Sequence, residues 1–198
     1  MLRRLQAWWK STEPPPDLAD APQGGAFSDA SDLETGRKAL CVFVQQAFGF
    51  LGEDVAKQLA RRIGQSYRHA AEEGEPDLAQ VLRDGLQGDP FTGRPQPFAF
   101  VFDARHAEDT GQVISAVWKA CGQVGQFAYD TATESADPVR VLGRLQSWAA
   151  ERAHAVLLLD TGGDEYVGLF CPEVHADALC ARAQEAGVSL ARHGHSTF

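Results

Sequence analysis

Apolar positions along the chain change their period near residue 98, so a helical first part gives way to a mixed second part. Before that point, Leu40, Phe43, Val44, Ala47, Phe48 and Leu51 recur at helical spacing. They follow Ser31 and Glu34, which stand in the S-x-x-E order of a capping box. Gly49 and Gly52 mark the end of this helix. Val55, Leu59, Ile63 and Tyr67 come every fourth residue and predict a second helix, from Glu53 to a stop at Gly74. A third begins at Pro76, a good first-turn residue, and carries Leu78, Val81, Leu82 and Leu86. The Gly- and Pro-rich stretch from Asp89 to Pro97 predicts a loop.

Beyond it, short apolar runs predict strands at Phe98–Asp103, Gln126–Thr131, Ala155–Asp160 and Tyr166–Cys171, with an edge strand at Val188–Ala191. Between them, Val113, Ile114, Val117 and Trp118 define a helix over 108–122. Asp137-Pro138 opens another as an N-cap and first-turn pair, and a last one runs over 173–186 to Gly187. The order β-α-β-α-β-β-α-β predicts an α/β fold of the α+β sandwich kind. Its mixed sheet has four to five strands, and the three earlier helices pack on the same core. Residues 31–192 form the single expected globular domain, with a helical part at 31–88 and an α/β part at 98–192. Ahead of it, residues 1–30 read as a short basic amphipathic start and a Pro/Gly-rich linker, and 193–198 as a polar tail.

Composition narrows the function classes. With 44% hydrophobic residues the chain has enough apolar surface for a core. A net charge of −9 disfavours nucleic acid and anionic lipid as partners and suits a basic protein or a divalent cation. The four cysteines, Cys41, Cys121, Cys171 and Cys180, lack zinc-ligand spacing and read as free thiols of a reducing, cytoplasmic compartment. No run of 18 apolar residues predicts a membrane span. Trp8 and Trp9 cannot share one helical face, which makes them candidates for docking a partner.

Candidate chemistry gathers at strand ends. Three predicted strands carry an aspartate at or next to their C-terminal end, Asp103, Asp130 and Asp160. If the intervening helices are right-handed crossovers, these carboxylates share one sheet edge and form a candidate Mg²⁺ site for phosphoryl transfer or hydrolysis. Aspartate also caps turns after strands, so geometry alone accounts for most of this pattern. Thr161-Gly162-Gly163-Asp164 reads as a tight hairpin turn, with Asp160, Asp164 and Glu165 as a candidate acidic binding surface. Gly168, inside a strand, signals a bulge or a close backbone approach. No G-x-S-x-G elbow, Gly-rich phosphate loop or other compact catalytic motif is present.

Phe100-Val-Phe-Asp103 followed by Glu108-Asp109 and a helix, and then Leu157-Leu-Leu-Asp-Thr-Gly-Gly-Asp-Glu-Tyr166, resemble a bacterial domain family of unknown function. Its members carry a D-T-G-x-D-x-Y hairpin. The resemblance covers about residues 98–192, and it implies a fold without an activity, a catalytic residue or a cofactor. The expectation from the residues is therefore a non-enzymatic, acidic, cytosolic binding protein. An immunity or inhibitor protein or an adaptor is the favoured type, with the metal-assisted enzyme as the alternative.

Overall fold

Three helices, α1 (Ala30–Ala47), α2 (Glu53–Glu73) and α3 (Leu78–Leu86), open the described part of this computed structural model. The structure describes residues 30–89, 94–103, 109–129 and 137–192. The expectations for residues 1–29, Trp8 and Trp9 among them, lie outside these, as do those for Asp130 and the tail 193–198. Leu59, Ile63 and Tyr67 of α2 are buried, as their spacing predicts. Gly52, at φ 99°, separates α2 from a 3-10 turn at Gly49–Leu51, and Gly74 ends it. At α1 the expected capping box does not form. The helix already includes Ala30, so Ser31 lies within it, and Glu34 turns instead to Arg37 and Lys38. The third helix starts later than Pro76, at Leu78, because Asp77 caps it by accepting from the N–H groups of Ala79 and Gln80.

The sheet is built from β1 (Phe100–Asp103), β2 (His154–Leu159), β3 (Glu165–Pro172) and β4 (Leu190–Arg192), in the spatial order β1-β3-β2-β4. Every pairing is antiparallel. This corrects the expected mixed sheet. β1 and β2 do run in the same direction, but β3, the return strand of the hairpin, sits between them. The expected strand at 126–131 is also absent over its described residues, 126–129. There the N–H of Phe127 donates to Ser115 Oγ on the neighbouring helix, which leaves it no role in a ladder.

That helix is α4 (Thr110–Ala120); α5 (Pro138–Ala150) and α6 (Ala176–Glu185) complete the described set. Asp137 caps α5 and Pro138 occupies its first turn, as the sequence predicts. Consecutive residues Val167 to Cys171 of β3 are all buried, so both faces of the strand are covered. The even-numbered face carries Phe100 and Phe170. Trp118 of α4 meets Phe170 edge-on, with ring centroids 5.0 Å apart, and Trp148 of α5 lies 4.6 Å from Trp118. The odd-numbered face carries Leu157, Leu159, Val167 and Leu169, all buried. From that face Glu165 reaches Arg83 on α3, while Leu86 of the same helix accepts the N–H groups of Phe98 and Ala99. One cluster of buried residues runs from Leu40 in α1 to Val188 ahead of β4.

Gly168 is the point of closest approach. Its cross-strand partner is Phe100, and a Cβ on Gly168 would sit 2.1 Å from Cζ of that ring. The ring therefore lies on the glycine, which is the close approach that a glycine within a strand suggests.

Candidate functional site

Because β1 and β2 both run antiparallel to β3, their C-terminal ends share one sheet edge with the start of β3. Asp103 is in register with Glu165 there, and Asp160 follows the last residue of β2. The topology thus brings Asp103, Asp160, Asp164 and Glu165 to a single edge and loop. Asp160 is exposed, and its Oδ1 accepts the N–H of Gly162 at 2.9 Å, closing the turn. Gly162 has φ 68°, in the left-handed region that favours glycine. Asp164 is exposed.

Glu165 is held differently. Arg83 Nη2 donates to its Oε2 at 2.7 Å, and Arg83 Nε lies 2.7 Å from Oε1. Both side chains are about one-quarter exposed, so the pair ties α3 to the sheet through one hydrogen bond and a close charge contact. Of the three residues read as an acidic tip, one caps its own turn, one is open to solvent and one is paired to a helix. Of the three aspartates read as a metal set, Asp130 lies outside the described residues, and only the backbone placement of Asp103 is described. Among the described residues no group of three His, Cys, Asp or Glu side chains is arranged to hold a metal ion.

Remaining candidates have structural partners. His154 is buried, with Nδ1 2.7 Å from the carbonyl of Arg152 and its ring edge-on to Trp118. All four cysteines are free thiols. Burial pushes Cys121 and Cys171 up to about 12, so both are protonated at neutral pH and poor nucleophiles. No helix of the described residues is long and apolar enough to cross a membrane.

Sequence reasoning missed a cleft of about 450 Å³ between α1 and α2. Arg37, Cys41 and Gln45 line it from α1; Lys57, Arg61, Gly64, Gln65 and Arg68 line it from α2. The available signal is the run of cations at 57, 61 and 68 with a glycine at 64, which falls on one helical face opposite Leu59 and Ile63. A wider groove of about 860 Å³ lies between α4 and residues 123–129, with Ser115 and Tyr129 among its lining.

The family model described as a domain of unknown function (DUF6630) matches residues 43–194. No curated protein and no solved structure matches the chain.

Proposed function

The chain belongs to that family of domains of unknown function, and from this premise we propose that it is a non-enzymatic binding protein acting through protein–protein contact at its acidic strand edge. The observation that supports this reading is the gathering of carboxylates where β1, β2 and β3 meet. Asp103 and Glu165 are in register, and exposed Asp160 and Asp164 lie in the adjoining turn. An exposed acidic patch on a chain of net charge −9 attracts a basic surface and speeds encounter with it. A cytosolic immunity or inhibitor protein, or an adaptor, fits that chemistry, since each blocks or bridges a basic partner without transforming it.

The test compares proteins captured from source cells by the wild-type chain and by a doubly reversed variant, Asp160→Lys with Asp164→Lys. At least one basic protein should be recovered at least about tenfold less by the variant. Equal recovery of every captured protein by the two chains rejects the reading. Unchanged growth of cells lacking the chain under toxin challenge removes its immunity form.

A further inference from the structure

Arg37, Lys57, Arg61 and Arg68 converge on the α1–α2 cleft although the chain as a whole is strongly acidic. On α2, residues 57, 61, 64 and 68 form one stripe; on α1, residues 37, 41 and 45 form the facing one. No Asp or Glu is among the described residues that line the cleft, although Glu34 pairs with Arg37 and Glu53 with Lys57. Arg61 and Arg68 are exposed and make no ion pair among the described residues. Lys57, one turn before Arg61, is already paired with Glu53, so the open charge of α2 rests on Arg61 and Arg68.

Arg37 is positioned rather than merely present. Glu34 grips it through Nε at 2.8 Å and Nη2 at 2.6 Å. Nη1 is left over Gly64, only 3.3 Å from where a Cβ on that residue would lie. Glycine is unfavourable inside a helix, yet here it keeps the floor of the cleft open beneath a guanidinium nitrogen and the Cys41 thiol. Cys41 Sγ donates to the carbonyl of Ala60 at 3.3 Å, and burial raises its pKa, so the floor carries no negative charge at neutral pH.

We infer that the α1–α2 cleft binds a small phosphate-bearing molecule, with Arg37 Nη1, Arg61 and Arg68 as its charge partners and Gln45 and Gln65 as neighbouring amides. Guanidinium forks match phosphate oxygens in shape and charge. A volume of about 450 Å³ falls in the range of small-molecule sites. A nucleic-acid polymer is disfavoured, because the acidic remainder of the chain repels a long phosphate backbone. The inference is independent of the acidic strand edge, and either can fail alone.

Calorimetric titration of the full chain with inorganic pyrophosphate at low ionic strength tests it. Saturable 1:1 binding is expected in the wild type. Arg61→Gln with Arg68→Gln should weaken it at least about thirtyfold, since two charge-assisted contacts are lost. Arg140→Gln, which removes an exposed cation elsewhere, should leave it unchanged. A second readout uses the unmodified protein: pyrophosphate should slow alkylation of Cys41 and leave Cys180, the other half-buried thiol, unaffected. Several results would overturn the inference. They are no saturable heat up to about 5 mM pyrophosphate, equal weakening by Arg140→Gln, no protection of Cys41, or tighter binding of a single-stranded RNA oligonucleotide through the same arginines.

Discussion

At the strand edge, two of the conspicuous acidic groups are already in use, whereas in the helical cleft two cations have no ion-pair partner among the described residues. Asp160 accepts from Gly162, and Glu165 is gripped by Arg83. Arg61 and Arg68 project without a counter-charge among the described residues. The edge drew notice because turn chemistry requires Asp and Gly in a recognisable order. The cleft has no such order, since its cations come from two helices that sequence alone does not bring together. A conspicuous motif can thus be largely a folding device, and a less conspicuous grouping can hold the unmet charge.

If this contrast is right, substitutions in the hairpin cost stability and spare anion binding, and substitutions in the cleft do the reverse. The largest effect is expected at Gly168. With Phe100 Cζ 2.1 Å from the position of a Cβ, Gly168→Val must displace the ring from its packing on Phe170. A loss of about 3 kcal/mol is expected in urea unfolding. Wild-type stability in this variant would show that the hairpin is not the rigid half of the comparison.

A smaller effect is expected from Arg83→Ala, which leaves the carboxylate of Glu165 about three-quarters covered without its cation. Partial exposure screens the pair, so the expected loss is about 1–2 kcal/mol. Glu165→Gln should cost less, because the amide oxygen still accepts from Arg83. Pyrophosphate titration of both variants sharpens the contrast: their affinity should match wild type. A loss of affinity would couple the edge to the cleft and merge the two regions.

Much of the fold was legible because each cue was local. Asp137-Pro138 opens α5, Gly74 and Gly187 stop helices, and Leu59, Ile63 and Tyr67 mark a buried face, all within a few residues of one another. The sheet order was not legible. Chain direction places β1 and β2 parallel to each other, but inserting β3 between them depends on long-range pairing that no short pattern encodes. Gln126, Phe127, Ala128 and Tyr129 alternate as a strand does, yet Ser115 takes the Phe127 N–H and stacked Phe127 and Tyr129 rings hold the segment beside α4. At the site, the spacing of Asp160 to Glu165 was visible and its division of roles was not, because Arg83 lies 82 positions away. The cations of α2 stand in no motif order, and only the fold sets them beside Arg37 of α1.

The cysteines report on both regions. Cys171 lies in β3 and Cys121 just after α4, both buried and both pushed up to about 12 mainly by desolvation; Cys41 lies half-buried under the cleft. Folding favours the neutral thiol at the two buried sites. Their contribution to stability is therefore complete below the ordinary thiol pKa of about 9, and it declines as pH rises from there toward 12. The melting temperature should fall over that window. Alkylation followed peptide by peptide should reach Cys41 at neutral pH and reach Cys121 and Cys171 only as the protein loosens in alkali. Equal rates for Cys171 and Cys41 at neutral pH would mean that β3 opens locally as readily as the cleft admits solvent. The hairpin would then no longer be the more tightly held of the two regions, and the contrast drawn from Gly168 and Arg83 would fail.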